Sequence, residues 1–241
     1  YYGAYLGGTN DNQQDVYEAS CHAVGLKLYL NQTHGDLQIN DEALKKHFES
    51  WPSNKPICTH AEGVTVEKVL KLCAKYQKPV HICHVSEGAE IEMIKAAKEI
   101  GLPVTCEVTP HHLLLTDDDA SALGNLGYVK PELRPRKDVE ALWKNIDVID
   151  CLATDHAPHT LNDKRGKNPT PGFPGLETAI PLMLTAITDG KLSMERLVDM
   201  VYTNPKRIFN LPDLGVTYAK FDLSETYLVD CTKLKTKCGW S

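Results

Sequence analysis

The chain has 241 residues, 42% of them hydrophobic and 24% charged, with a formal net charge of −6 at pH 7. That length suffices for one well-buried core, and the composition argues against both a disordered chain and a membrane-embedded one. An acidic balance without a long basic run argues against a nucleic-acid or anionic-membrane surface, and leaves a small molecule as the expected partner.

The eight cysteines (21, 58, 73, 83, 106, 151, 231 and 238) form no CxxC pair, and several fall inside apolar runs. They read as reduced thiols in a cytoplasmic compartment rather than as a disulfide framework. No apolar stretch reaches the roughly 20 residues of a membrane span, and the first residues lack the charged region of a signal peptide. The Asn31-Gln32-Thr33 sequon is then coincidental.

In chain order, strand-like runs are expected near 2–7, 25–31, 56–61, 79–85, 103–108 and 148–154, with helices in most of the gaps. Apolar residues at i, i+3, i+4 spacing predict helices near 65–77 and 88–100, stopped by Pro79 and by Gly101-Leu102-Pro103. Further helices are expected near 137–146, 176–189 and 193–203, and two loops, 31–40 and 160–175, leave strand carboxyl ends. This βαβα wiring predicts a parallel α/β sheet, and runs such as Val80-His81-Ile82-Cys83-His84-Val85 read as apolar on both faces. The expected architecture is a single domain over 1–241, a TIM-barrel-type hydrolase with about six of the eight βα units a barrel needs. It is expected to be truncated at both ends, with the missing pair preceding Tyr1.

Chemistry is written at the ends of these runs. The last ends in Asp155-His156-Ala157-Pro158-His159, and three earlier ones end in Lys27, His60 and His84. Ligands from different strands converge where their carboxyl ends share one rim, and neutral imidazoles there suit zinc. One buried histidine alone reads equally as a hydrogen-bonded core residue; two at matching positions, with Asp155 at a third, shift the balance to metal. Lys27 lies among apolar residues, where a bare ammonium is costly. Either a carboxylate pairs with it, or burial lowers its pKa and the neutral amine takes up carbon dioxide, giving a carbamate that bridges two metals. Asp155 is either a turn carboxylate or a metal ligand that accepts a proton from the attacking water and passes it to the leaving nitrogen. Cys83 alone reads as packing and Glu107 as a partner of a ligand; His111 and His112 read as structural.

Gly25-Leu26-Lys27-Leu28-Tyr29-Leu30-Asn31, His81-Ile82-Cys83-His84-Val85, Val104-Thr105-Cys106-Glu107-Val108, Asp155-His156-Ala157-Pro158-His159-Thr160 and Pro171-Gly172-Phe173-Pro174-Gly175-Leu176-Glu177-Thr178 resemble the dihydroorotase family of the amidohydrolase superfamily. The likeness is greatest to the dihydroorotase domains of eukaryotic multifunctional polypeptides that also carry carbamoyl-phosphate synthetase and aspartate carbamoyltransferase.

The resemblance implies a two-zinc centre bridged by carboxylated Lys27, with His60 and His84 on one ion and Asp155 on the other, also moving the proton. It implies reversible closure of N-carbamoyl-L-aspartate to L-dihydroorotate, in a homo-oligomer. The animal-like branch has a third zinc held partly by Cys and Glu, positions matched by Cys83 and Glu107. Substrate contacts carry over to Lys130, where close relatives have Arg, with Arg134 as a second cation, and to His159, the backbone at Pro171, and Thr33 in the loop over the site. His34 replaces an aromatic residue of animal relatives. The family's HxH pair with its substrate-binding Arg, and an Asn from the second strand, are not in the sequence, so the chain alone is expected to be inactive or nearly so. A dihydropyrimidinase or allantoinase-like hydrolase and a metal-free assembly module are the competing expectations.

Overall fold

A computed structural model of the chain describes residues 2–33, 35–52, 54–213, 215–236 and 238–240; His34 lies outside the described residues. Strand and helix alternate: β1 (Tyr5–Gly7), α1 (Gln13–Glu18), β2 (Gly25–Tyr29), α2 (Asp41–Ser50), β3 (Ile57–His60), α3 (Val64–Tyr76), β4 (Val80–Ile82), α4 (Gly88–Glu99) and β5 (Val104–Val108). Three helices, α5 (Pro110–Leu114), α6 (Asp117–Leu123) and α7 (Arg136–Lys144), precede β6 (Cys151–Leu152). After it come α8 (Leu161–Arg165), α9 (Ala179–Thr188), α10 (Met194–Val198) and α11 (Asn204–Ile208).

The six strands form one sheet in sequential order, and every neighbouring pair is parallel. The register gives the two faces opposite characters. Lys27 stands beside Cys58, Cys58 beside His81, and His81 beside Thr105. Side chains alternate along a strand, so Tyr29, His60, Cys83 and Glu107 follow on that same face, with Cys151 next to Glu107. The opposite face carries Leu26, Leu28, Ile57, Val80, Ile82, Val104 and Val108, all buried in one core with Val66, Val69, Ile91 and Ile94 of α3 and α4. Burying each such side chain stabilises by roughly 1.5–3 kcal/mol. The expectation of strands apolar on both faces is therefore corrected: only the helix-covered face is apolar. The other holds its imidazoles and carboxylate through mutual hydrogen bonds, as His81 does with Thr105 Oγ1 at 2.8 Å and Glu107 Oε2 at 3.0 Å.

The sixth strand is shorter than the run 148–154 predicts. Val148 and Ile149 close tight turns onto Asn145 and Ile146, and sheet bonding begins only at Asp150, whose N–H donates to the Cys106 carbonyl at 3.0 Å. The helix expected over 193–203 continues instead to Ile208. A π-helical turn over Asp199–Thr203 precedes Pro205, which sits in the first turn of α11, where its missing N–H costs least. The loop 160–175 contains α8, started by a capping box between Thr160 and Asp163. No described helix is long and apolar enough to cross a membrane.

Candidate metal centre at the strand ends

His60 closes β3, and His84 lies two residues beyond β4, where the chain turns through a left-handed conformation, φ +37°. Their rings meet edge to face, with His60 Nδ1 3.0 Å from His84 Nε2, and both residues are buried at 1% and 4% exposure. Burial, and then the nearby Lys27 and His60, hold the His84 pKa well below the usual histidine value, so its ring is neutral. His84 Nδ1 is buried without a hydrogen-bond partner. Asp155 also adopts a left-handed backbone, φ +43°. Such conformations cost non-glycine residues about 1–3 kcal/mol each and gather at working sites. Two of the four non-glycine residues with positive φ among the described residues are thus candidate ligands.

Lys27 is not at a strand end, as the sequence suggests, but third of five residues in β2. It is half-buried, 5.3 Å from the centroid of the Tyr29 ring. Burial alone would lower its pKa, but the facing Cys83 and Glu107 outweigh it and the ammonium form is favoured. Of the two readings of Lys27, these neighbours favour the paired ammonium for the chain by itself. Lys27 is close enough to shift the titration of both His84 and Asp155. Asp155 keeps an exposed surface, while crowding of its carboxyl by the rim holds its pKa up against the pull of Lys27. Burial pushes the Cys83 thiol up to about 12. Burial raises the Glu107 carboxyl most, but the His81 hydrogen bond, the His81 and Lys27 charges and the Cys83 hydrogen bond together outweigh it and leave its pKa lowered.

By register Lys27, His60, Cys83 and Glu107 share one face of the sheet, His84 and Asp155 follow the ends of β4 and β6, and the six stand in two grades of proximity. His60 and His84 touch; Lys27, Cys83, Glu107 and Asp155 interact electrostatically around them. Among the described residues, no three His, Cys, Asp or Glu side chains gather closely enough to hold a metal by themselves. The imidazole pair nevertheless suits zinc. Two nitrogens bound to one tetrahedral ion at 2.0–2.1 Å stand about 3.4 Å apart, and neutral rings are the form a metal takes.

The candidate substrate contacts line a neighbouring rim. Lys130 donates to Glu132 at 2.6 Å. Arg134 is not a free cation: it pairs with Glu87 at 2.8 Å and Glu62 at 3.2 Å, and its Nε donates to Ser86 Oγ at 3.3 Å. Thr33 is half-buried in the loop after β2. His159 and Pro171 belong to one folded-back segment, in which the Ala157 N–H donates to the Phe173 carbonyl at 2.8 Å and the Gly172 N–H to the Tyr128 carbonyl at 3.0 Å. His111, buried, stacks on Phe173 with ring centroids 5.0 Å apart, and His112 bridges Thr109 and the Pro131 carbonyl, so both hold this rim together.

Sequence reading missed three contributors: Glu62, which holds His60; Lys164, which ties the two rim loops; and Trp240, whose indole donates to the His159 carbonyl at 2.7 Å. Glu62 two residues after a candidate ligand, and a tryptophan in an otherwise polar tail, were the available signals.

A scan against models of known protein families finds no match. Individual relatives do match. The Multifunctional protein CAD of Squalus acanthias is 46% identical over 239 residues, covering 98% of this chain and 11% of that protein. The Dihydroorotase of Pyrococcus furiosus is 36% identical over 251 residues, covering 99% of this chain and 59% of that one. Among solved structures, an L-hydantoinase (dihydropyrimidinase) from Arthrobacter aurescens superposes with TM-score 0.81 at 26% identity, over 86% of this chain and 55% of the other. The inactive dihydroorotase-like domain of a Chaetomium thermophilum CAD-like multifunctional protein gives TM-score 0.71 at 27% identity, over 88% and 62%. The chain thus spans at most about three fifths of these relatives. With its parallel α/β wiring, the chain has the fold of the TIM-barrel, generally metal-dependent amidohydrolases and is similar over nearly its whole length to dihydroorotases.

Proposed function

We propose that the chain carries the zinc-binding and proton-transfer part of a dihydroorotase, which interconverts N-carbamoyl-L-aspartate and L-dihydroorotate in pyrimidine synthesis. The observation that carries this is the pair of buried imidazoles facing each other across 3.0 Å, within electrostatic reach of Lys27 and Asp155. His60 Nδ1 and His84 Nε2 would hold one zinc. Lys27, carboxylated on Nζ, would bridge to a second held by Asp155, and Cys83 with Glu107 would serve a third. When bound, the ions supply Lewis-acid polarisation of the ring amide and a lowered pKa for the attacking water.

The residues do the rest. Hydrolysis breaks one C–N bond, adding hydroxyl to the acyl carbon and a proton to the nitrogen. The Asp155 carboxylate takes that proton from the water and delivers it to the departing nitrogen. Lys130, His159, Thr33 and the backbone at Pro171 orient the substrate. Lys130 now faces the exposed Glu132. Surface pairs of that kind are worth about 0–1 kcal/mol, so a substrate carboxylate can replace it. That the chain spans only 11% of its multifunctional relatives supports placing it within a longer polypeptide, which we propose to be cytoplasmic and homo-oligomeric.

Turnover of dihydroorotate by the full-length protein, with dihydrouracil and allantoin turned over far more slowly, is the expected result; preference for either of the latter overturns the substrate assignment. The likeness to an inactive dihydroorotase-like domain favours a second reading, a metal-free assembly module. The presence of Lys27, His60, His84 and Asp155 together weighs against it, and a zinc-free full-length protein would establish it.

A further inference from the structure

Beside the candidate metal pair lies a carboxylate that the mechanism above does not use. Glu62 Oε1 is 3.0 Å from His60 Nε2, and its other oxygen accepts from Arg134 at 3.2 Å. Arg134 is anchored in turn by Glu87 and Ser86. The Glu62 backbone is fixed as well: its N–H donates to Asn31 Oδ1 at 3.0 Å and Thr65 Oγ1 at 2.8 Å, and Thr65 Oγ1 donates to the same Asn31 oxygen at 2.6 Å. The side chain is only 16% exposed.

A carboxylate paired with the Arg134 guanidinium accepts, so the hydrogen at 3.0 Å belongs to His60 Nε2. The lone pair of a neutral ring is then left on Nδ1, the nitrogen that faces His84 Nε2. We propose that Glu62 is a positioning residue: held by Arg134, it keeps the His60 proton on Nε2 and so aims the Nδ1 lone pair into the metal position. This deepens the zinc-centre reading and rests on it. The same network ties His60 to Arg134 on the segment that carries Lys130, so one carboxylate sets the ligand and links it to the substrate rim.

The test compares full-length wild type, Glu62→Ala, Glu62→Gln and His60→Ala by chelator competition for zinc, with heteronuclear NMR of labelled imidazoles in the zinc-free state. Loss of such a partner weakens metal affinity by about 10–100-fold. That loss is expected in Glu62→Ala. Glu62→Gln, whose amide oxygen accepts the same proton, should recover most of it, and the wild-type His60 proton should lie on Nε2. Glu62→Ala binding zinc as tightly as wild type, Glu62→Gln no better than Glu62→Ala, or the proton on Nδ1 would each overturn the proposal, while zinc lost in His60→Ala leaves the metal-centre reading standing. Wild type binding no zinc would overturn both.

Discussion

At the scale of single residues, strain and charge locate the site. His84 and Asp155 both take φ values that side chains resist, +37° and +43°, where a glycine would relieve the backbone but bring no ligand. Asp155→Asn keeps the shape and removes the proton acceptor. We predict that it lowers kcat by at least about a hundredfold with the zinc on His60 and His84 retained; steady-state kinetics with metal analysis checks this, and near-normal turnover would contradict the role. Gly172 shows the reverse dependence. At φ +143° a Cβ there would lie 2.5 Å from that of Ala157 and 3.2 Å from His159 Cδ2. Gly172→Ala is expected to cost roughly 1–3 kcal/mol of stability and to raise KM by displacing His159, read from urea unfolding and substrate titration.

At the scale of elements, the rim segment 160–175 is pinned by a buried ammonium that forms no ion pair among the described residues. Lys164, 0% exposed, donates to the Tyr128 carbonyl at 2.6 Å and the Gly172 carbonyl at 3.0 Å, and lies over the Trp240 ring at 5.1 Å. Burial lowers its pKa to about 8. The unfolded lysine keeps its proton to near its usual value, so between those limits the unfolded state binds more protons and this group's contribution to stability rises with pH. We predict that wild type gains roughly 3 kcal/mol relative to Lys164→Met between pH 7.5 and 10.5; a constant difference in urea unfolding across that interval would contradict the assignment. The strands that precede this loop were legible from apolar runs and Pro or Gly stops, and α3 and α4 lie within a residue of their expected bounds. The polar inner face was not, because apolar content reads burial without reading what each face touches. His81 in an apolar run looks like core, yet it bonds Glu107 across the next strand. Arg134 looked like a spare substrate cation because its carboxylate partners, Glu62 and Glu87, lie 72 and 47 residues away in sequence.

At the scale of the molecule, sequential parallel strands bring Lys27, His60, Cys83 and Glu107 to one face, and the chain is similar over nearly its whole length to dihydroorotases. The candidate ligands were readable because strand ends must share a rim; their order of approach, with the imidazoles touching and the others around them, required the fold. The most direct measurement is zinc-edge anomalous diffraction from crystals of the full-length protein grown with zinc. We predict a peak bonded to His60 Nδ1 and His84 Nε2 at about 2.0–2.1 Å, with Lys27 and Asp155 around it. Zinc bound only elsewhere, or none between the two imidazoles, would contradict the assignment.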